Sequence, residues 1–243
     1  MKVLLVDDEA PARLRLRQLL ERIDGTEIVG EAGSGEEAVA ACARLQPELV
    51  FLDIRMPGMD GLEAARHIQG LEEPPAVIFV TAFEEHALAA FEARAAGYLL
   101  KPVRLERLRS AMAGARHLNR AQLQALSREL GQGRRTHFSV RTHQGIRLIP
   151  VEEVLYLQAE LKYVTLHHTG GEALLDESLR QIEEEFGDRF LRIHRKTLVA
   201  RAALAGVERA GPSRHLARIR GRAEGLEISR RMLPAVRRAL KRA

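Results

Sequence analysis

Five polar side chains that can bind a cation or compensate charge stand just after short apolar runs. They are Asp7, Asp8, Asp53, Thr81 and Lys101. Three carboxylates that meet repel one another, and a single pair 4 Å apart costs about 4 kcal/mol at an effective dielectric constant of 20. Such a set needs a cation, and a hard ion such as Mg²⁺ suits two carboxylates plus a phosphate oxygen. Lys101 would supply a further positive charge.

The apolar runs before these residues predict the strands that bring them together. The runs at residues 3–6, 28–29, 49–52, 77–80 and 98–100 are short and hardly alternate, which is typical of strands buried on both faces of a parallel sheet. Amphipathic helices lie between them. One opens at Pro11, and the next begins near Ser34 with Glu37 in a capping-box pattern. The apolar residues of the first helix are Leu14, Leu16, Leu19, Leu20 and Ile23.

Five β/α units in about 117 residues predict an α/β doubly wound five-strand parallel sheet. Ligands of such open sheets bind outside the carboxyl ends of the strands. The five polar side chains are therefore expected to converge there.

The order of these residues resembles the receiver domain of two-component response regulators. The resemblance covers about residues 1–117. Its motifs are Asp7-Asp8, Asp53 with the tail Arg55-Met56-Pro57-Gly58-Met59-Asp60-Gly61, Thr81-Ala82 and Gly97-Tyr98-Leu99-Leu100-Lys101-Pro102. The resemblance implies that Asp53 is a nucleophile that accepts a phosphoryl group from a phosphohistidine.

The resemblance also implies roles for the surrounding residues. Asp8, Asp53 and the backbone carbonyl of Arg55 would ligate Mg²⁺, with Asp7 helping directly or through water. Lys101 would neutralise the phosphoryl oxygens, and Thr81 would hydrogen-bond one of them, so that catalysis rests on positioning and charge neutralisation. Thr81 and Tyr98 would form the switch, and the bond before Pro102 would be cis.

Other interpretations of these residues remain. Asp7 and Asp8 could cap a helix, Lys101 could be a surface lysine, and Tyr98 could be ordinary core. A phosphatase-like hydrolase also uses a strand-end aspartate, but its Asp-x-Asp pattern fails because Arg55 stands where the second acid should be. A dinucleotide-binding domain is excluded because no glycine-rich turn follows the first strand.

Charge is divided unevenly along the 243 residues. Residues 1–120 carry 15 basic and 19 acidic side chains, whereas residues 121–243 carry 23 and 14. Basic charge at one end predicts a polyanion partner for that end. No apolar run is long enough to span a membrane or to act as a secretory signal, and the single Cys42 cannot form an intrachain disulfide. We therefore expect a cytoplasmic protein that does not contact a membrane.

A helical pattern continues beyond the length that the receiver's last helix needs. Its apolar positions are Leu105, Leu108, Met112, Ala115, Leu123, Leu126 and Leu130, and glycines 131 and 133 break it. The extra length either packs on its own domain or pairs between protomers.

From His137 onward the pattern changes to strands. Alternating stretches occur at residues 137–141, 147–150, 154–159, 163–168, 190–194, 204–208, 216–219 and 226–228. A helix is expected at about residues 178–186, and a basic helix closes the chain. Because no long recognition helix is present, helix-turn-helix binding is disfavoured and a mostly β domain is predicted.

This half resembles the LytTR DNA-binding domain, a ten-strand fold, over about residues 137–240. The strongest match is Phe190-Leu191-Arg192-Ile193-His194-Arg195-Lys196-Thr197-Leu198-Val199, supported by residues 149–159, Lys162-Tyr163-Val164 and Ser229-Arg230-Arg231. Two departures affect the contact set. Ala200 stands where the family commonly has Asn, and Lys196-Thr197 replaces a usual Ser-aromatic pair.

The resemblance nominates DNA contacts in three segments. Lys162 or Tyr163, then Arg195, then Arg231 would meet bases, and Arg is the side chain best suited to guanine. Lys196, Arg201 and Arg230 would contact phosphates. Separately, Arg218, Arg220 and Arg222 recur at period two and are expected to share a strand face, with a solvated surface as the simpler interpretation.

These observations predict three parts: a receiver domain over residues 1–117, a helical linker over 118–136 and a LytTR-type DNA-binding domain over 137–243. The predicted function is phosphorylation-dependent transcriptional regulation, with no enzymatic activity beyond gain and loss of the chain's own phosphoryl group. The expected partners are a sensor histidine kinase, double-stranded DNA and a second copy of the chain when phosphorylated. The alternative is a receiver that controls a protein- or RNA-binding module, although RNA-binding domains generally use stacking aromatics and only 4% of these residues are aromatic.

Overall fold

The computed structural model describes residues 1–82, 97–115, 135–142, 145–160, 163–211 and 214–240. By its internal contacts the chain divides into two compact units, Met1–Leu148 and Ile149–Ala243. The boundaries predicted at residues 117 and 136 remain predictions, because most of the proposed linker lies outside the described residues.

The first unit contains the predicted parallel sheet. Its strands are β1 (Lys2–Val6), β2 (Glu27–Ala32), β3 (Leu49–Asp53), β4 (Ala76–Thr81) and β5 (Tyr98–Leu100), in the spatial order β2-β1-β3-β4-β5. All four strand pairs are parallel. The described helices are α1 (Ala10–Leu20), α2 (Gly35–Leu45), α3 (Gly61–Ile68) and α4 (Leu105–Gly114). The α/β prediction is confirmed.

Successive residues of the central strands point to opposite faces, which builds two cores. Leu4, Val50 and Val77 pack under α2 and α3, while Val3, Phe51 and Ile78 pack against α1 and α4. The continuous apolar runs are explained by this double burial. One residue departs from expectation: Leu14 of α1 is 54% exposed, because the buried stripe of that helix is formed by Leu16, Leu19 and Leu20.

Two helix starts show how local sequence sets the frame around the strand ends. Ser34 caps α2 by accepting a hydrogen bond from the Glu37 amide, as predicted. The Glu37 carboxylate, however, accepts from the Gly33 amide rather than closing the expected box on Ser34. Asp60 caps α3, because its side chain accepts a hydrogen bond from the Glu63 amide at 2.7 Å.

A two-stranded sheet follows the parallel sheet in the chain. It consists of β6 (His137–Thr142) and β7 (Gly145–Pro150). Ile146 and Leu148 of β7 pack against the core beneath α2 and α3. Residues 135–148 are called the ribbon segment below; residues 143–144 lie outside the described part of it.

The second unit is mostly β, as predicted. Its larger sheet has the order β10-β9-β8-β12-β11 and its smaller sheet the order β13-β14-β15, with antiparallel neighbours throughout. The strands are β8 (Val154–Glu160), β9 (Tyr163–His168), β10 (Gly171–Leu175), β11 (Phe190–His194), β12 (Thr197–Ala200), β13 (Leu204–Arg209), β14 (His215–Ile219) and β15 (Leu226–Ile228). Helix α5 (Leu179–Phe186) starts with a complete capping box at Ser178, and α6 (Leu233–Leu240) is basic in its last turn.

The described residues from His137 onward contain ten strands. Strands β10 and β12 were not predicted from the sequence. The predicted strand face of Arg218, Arg220 and Arg222 is wrong, because β14 ends at Ile219 and leaves the last two arginines in the turn that follows.

Candidate functional site

Three carboxylates meet at the carboxyl edge of the parallel sheet. Asp7 follows β1, Asp8 comes next, and Asp53 ends β3; one oxygen from each lies within 4.8 Å of the others. The adjacency of β1 and β3, with Val6 paired to Leu52, produces this meeting. Asp7 and Asp53 are buried and Asp8 is exposed, so the cluster opens to solvent on one side.

Lys101 reaches the cluster from the end of β5. Its Nζ lies 2.7 Å from Oδ2 of Asp7 and 2.7 Å from Oδ2 of Asp53. The lysine backbone is fixed by its amide, which donates to the Thr81 carbonyl oxygen at 2.8 Å. The peptide bond between Lys101 and Pro102 is cis, as expected.

The electrostatics of the cluster follow from burial and this shared ammonium group. Burial raises the pKa of Asp53, and the nearby charge of Asp7 raises it further, while Lys101 acts in the opposite direction. Burial alone would lower the pKa of Lys101, but the hydrogen bonds and charges of Asp53 and Asp7 outweigh it and the pKa is raised. The ammonium group is therefore held firmly in its charged form.

Backbone groups hold the two buried carboxylates in place. The Glu9 amide donates to Oδ1 of Asp7 at 3.0 Å, and the Arg55 amide donates to Oδ1 of Asp53 at 3.2 Å. An open cleft of about 530 Å³ lies beside these carboxylates. It is lined by Asp8, Glu9, Asp53, Arg55, Thr81, Ala82 and Lys101.

The donor set of the cleft fits a hard divalent cation. Three carboxylates supply oxygen ligands only, which is the chemistry that Mg²⁺ prefers. A single ammonium group neutralises one of the three negative charges, so a divalent ion would complete the charge balance.

Of the two predicted switch residues, Thr81 lines the cleft and Tyr98 lies at the start of the next strand. Thr81 ends β4 and is only 2% exposed. Tyr98 begins β5, is partly buried and packs against the core beneath α2 and α3.

In the second unit, three of the nominated DNA-contact segments meet at one edge of the larger sheet. Arg195 and Lys196 form the turn between β11 and β12, and the Lys196 carbonyl accepts a hydrogen bond from the Ala159 amide of β8 at 2.8 Å. Tyr163 pairs with Glu160 at the same end of β8. The Ser229 amide donates to Ile193 of β11 at 2.9 Å, which brings the following Arg230-Arg231 pair to this edge.

We call this set the basic edge: Tyr163, Arg195, Lys196, Arg230 and Arg231, all of them exposed. Arg201 is exposed but follows the other end of β12, about 13 Å along a four-residue strand from the turn. Lys162 lies outside the described residues.

Side chains behind the β11–β12 turn hold its shape. Arg192 donates through Nη1 to the Arg195 carbonyl at 3.1 Å, and its Nε lies 2.7 Å from Oε2 of Glu183 on α5. The Lys196 amide donates to Nδ1 of His194 at 3.3 Å. Sequence reasoning named this stretch as a motif but missed the support from α5, for which the spacing offered no signal.

Comparisons with known proteins agree with both units. The receiver-domain model of response regulators matches residues 3–113, and the LytTR DNA-binding domain model matches residues 144–241. The chain is 48% identical over 245 residues to the positive alginate biosynthesis regulatory protein of Pseudomonas aeruginosa, and the alignment covers 99% of each chain.

A second relative is the transcriptional regulatory protein BtsR of Escherichia coli, which is 37% identical over 206 residues that cover 84% of each chain. Among solved structures, the response regulatory domain of protein mrkE from Klebsiella pneumoniae is 32% identical, covers 54% of this chain and all of that one, and has a TM-score of 0.40.

This chain belongs to the two-component response regulators that join a receiver domain to a LytTR DNA-binding domain. It is a transcriptional regulator that binds DNA and acts with a kinase partner.

Within the described part of the chain, no helix is both long and apolar enough to cross a membrane.

Proposed function

We propose that Asp53 accepts the phosphoryl group that controls this regulator. The observation that carries the proposal is the geometry of its carboxylate, which ends the central strand, faces an open cleft and lies 2.7 Å from the Lys101 ammonium group. Asp7 is tied to the same ammonium group and to the Glu9 amide, and Asp8 is exposed at the rim. Asp53 therefore combines fixed position with access to a donor.

In the transfer, a carboxylate oxygen of Asp53 attacks the phosphorus atom of a phosphohistidine. The new O–P bond forms as the P–N bond breaks, and the departing imidazole nitrogen keeps the electron pair and takes a proton from solvent. Lys101 neutralises the phosphoryl oxygens, and the Thr81 hydroxyl donates a hydrogen bond to one of them. Most of the barrier is lowered by positioning and charge compensation.

Mg²⁺ is the cofactor that this cleft would hold. Asp8, Asp53 and the backbone carbonyl of Arg55 are the proposed ligands, with Asp7 as a direct or water-mediated one. When bound, the ion would supply positive charge to the phosphoryl oxygens.

The response to phosphorylation is proposed to run through Thr81 and Tyr98. A shift of a two-state domain from 1:99 to 99:1 requires about 5.5 kcal/mol of differential stabilisation. Bonds from Thr81 and Lys101 to the phosphoryl group are the proposed source, and reorientation of Tyr98 is the proposed consequence.

The basic edge is the proposed DNA-contact surface. Arg195, Arg231 and Tyr163 are proposed to meet base edges, while Lys196 and Arg230 meet phosphates. Arg201 stays a proposed phosphate contact at a separate position, and Lys162 a proposed alternative to Tyr163. Support comes from the convergence of three chain segments at one end of the larger sheet.

The remaining proposals concern the whole chain. The regulator would act in the cytoplasm, take phosphoryl groups from a sensor histidine kinase and bind paired DNA half-sites as a phosphorylation-dependent homodimer. Its only reactions would be the gain and loss of its own phosphoryl group. The proposed parts remain a receiver over residues 1–117, a linker over 118–136 and a DNA-binding domain over 137–243.

Labelling of the intact chain tests the phosphoacceptor. Wild-type protein incubated with acetyl phosphate and Mg²⁺ should gain one phosphate by intact mass, and Asp53→Asn should gain none. Asp24→Asn is the matched control, because it removes an exposed carboxylate away from the cleft and should label like wild type. Undiminished labelling of Asp53→Asn would contradict the assignment.

A further inference from the structure

A second buried carboxylate lies outside the phosphorylation cleft. Glu63 of α3 is 2% exposed, and all of its described partners but one belong to the ribbon segment. Its Oε1 accepts hydrogen bonds from the amides of Thr136 at 2.7 Å and His137 at 2.9 Å, and its Oε2 accepts from the Thr136 hydroxyl at 3.0 Å. The remaining partner, Nε2 of His67, lies one helical turn along at 3.4 Å.

The hydrogen bonds of Glu63 are suited to holding the ribbon segment on α3, and we call Glu63 the anchor of that segment. A carboxylate is costly to bury unless hydrogen bonds compensate for lost water, and here two backbone amides and one hydroxyl do so. Burial would raise the pKa of Glu63, but His67 and the two amides outweigh it and the pKa is lowered, so the group is ionised at neutral pH. Removing the carboxylate would leave two partly buried amide donors without this acceptor.

Apolar packing holds the same segment against the same face. Ile146 and Leu148 pack on the core beneath α2 and α3, and Phe138 is fully buried with the guanidinium group of Arg135 5.4 Å from its ring centre. Residues 135–148 therefore dock on α3 by a polar anchor flanked by apolar contacts.

The anchor is joined to the phosphoacceptor through the start of α3. The Gly61 amide donates to the Ile54 carbonyl at 2.9 Å, and a Cβ atom at Gly61 would lie only 1.9 Å from the Asp53 carbonyl oxygen. The Glu63 amide is in turn capped by Asp60. The first turn of α3 is thus packed directly on the Asp53 backbone, and a displacement there would reach Glu63 within one helical turn.

We propose that α3 is the docking surface for the chain's own ribbon segment and that Glu63 is the positioning residue that passes the phosphorylation state of Asp53 to it. Strand β7 runs to Pro150, within the residues that match the DNA-binding family, so a shift of the ribbon segment acts on the beginning of that domain. The inference rests on the proposed phosphorylation of Asp53. It assigns the coupling to the face of the sheet that α3 covers.

The test compares full-length variants of Glu63. Glu63→Ala removes the acceptor. Glu63→Gln keeps an amide oxygen that can accept from both backbone amides, so it should preserve docking of the ribbon segment. Glu72→Gln, an exposed carboxylate just beyond α3, is the matched control. Three quantities are measured: phosphate gained from acetyl phosphate, hydrogen exchange at the Thr136 and His137 amides, and affinity for a duplex enriched by the wild-type protein from a random pool, with and without phosphorylation.

We expect Glu63→Ala to gain one phosphate as wild type does, to lose protection of the two amides by at least tenfold, and to bind the duplex with the same affinity in both phosphorylation states. Glu63→Gln and Glu72→Gln should keep most of the wild-type affinity ratio. If Glu63→Ala does not fold, Thr136→Val serves as the second variant. It removes only the hydroxyl donor and should lower the ratio partly, with Thr136→Ser as its control.

Unchanged amide protection in Glu63→Ala would overturn the anchor. Lost protection with a wild-type affinity ratio would overturn the coupling. A wild-type protein that labels on Asp53 yet binds the duplex equally in both states would contradict control by phosphorylation, and the coupling with it. Failure to label at Asp53 would instead contradict the proposed function at its first step.

Discussion

At the residue scale, the chemistry of the cleft depends on how one ammonium group is shared between two buried carboxylates. Lys101 sits 2.7 Å from an oxygen of Asp7 and 2.7 Å from an oxygen of Asp53, which are also proposed ligands of a divalent ion. A cation that binds there must therefore compete with the lysine for the same oxygens. We expect this competition to weaken metal binding before phosphorylation and to end when a phosphoryl group offers Lys101 new acceptors.

This competition predicts the effect of neutralising the lysine. Lys101→Gln should bind Mg²⁺ roughly tenfold more tightly than wild type in the absence of phosphodonor, because the repulsion between the lysine charge and the metal ion is removed. A tenfold change corresponds to about 1.4 kcal/mol, which is a modest part of the interaction between two charges at short range. Calorimetric titration with magnesium chloride measures the change. Lys2→Gln removes an equal charge at the far end of β1 and should leave the affinity unaltered. Weaker binding by Lys101→Gln would show that the lysine does not compete.

The residues of the cleft were predictable, whereas Glu63 was not. Polar side chains at the ends of parallel strands must meet at one edge, so the order of elements was enough to place Asp7, Asp53 and Lys101 together. Glu63 and His67 are spaced four apart on a helix, which is equally typical of a solvated pair. Glu63 is covered by a segment that includes Thr136, which lies 73 residues further along the chain.

At the element scale, the β11–β12 turn is shaped from behind. Arg192 joins the Arg195 carbonyl to Glu183 of α5, so the helix fixes the turn that carries two residues of the basic edge. A guanidinium group reaches both acceptors at once because its donors are spread over a rigid plane, whereas an ammonium group carries all its donors on one nitrogen and fits this pair of acceptors less well. The helix thus supports the turn that is proposed to contact DNA and also covers the sheet.

Arg192→Lys should therefore weaken specific DNA binding without unfolding the domain. The loss of one charge-assisted bond predicts about 1–2 kcal/mol, or roughly tenfold in affinity for a specific duplex. Arg180→Lys is the matched control, since Arg180 forms an exposed pair with Glu184 on the same helix and should have no effect. Fluorescence anisotropy with specific and random duplexes, alongside thermal unfolding, measures the outcome. Wild-type affinity of Arg192→Lys would show that the contacts of Arg192 do not shape the turn for DNA binding.

In the second unit, strands with a clear alternation were predicted from the sequence, whereas a fully buried strand without one was missed. Strands β11 and β15 begin and end where the alternation predicted. Strand β12 is buried at all four positions, so its sequence shows no alternation that would predict a separate strand. Beyond Ile219 the arginines keep a period of two, but the chain turns, with Gly221 at φ +75°, and a charge period alone could not reveal that.

At the scale of the whole molecule, the uneven charge along the chain matches the different ligands proposed for its two halves. The acidic excess of residues 1–120 accompanies the three-carboxylate cleft that is proposed to bind a cation and a phosphoryl group, and the basic excess of residues 121–243 includes an exposed edge suited to a polyanion. Duplex DNA carries one negative charge per about 1.7 Å of its axis, so basic residues that contact phosphates release counterions on binding. Contacts to base edges are not expected to release counterions in this way. The affinity for DNA should therefore depend on salt differently for the two kinds of contact.

This difference allows the residues of the basic edge to be sorted by experiment. Lys196→Ala and Arg230→Ala should each lower the salt slope of binding by about 1 and weaken specific and random duplexes alike. Arg195→Ala and Arg231→Ala should cost about 1–3 kcal/mol on the specific duplex and much less on random DNA. Binding of the four variants is measured at several salt concentrations, with Arg180→Ala as an exposed basic control on α5. If Arg195→Ala and Arg231→Ala lose affinity equally on both duplexes, these two arginines contact phosphates, and sequence recognition must come from other residues of the domain.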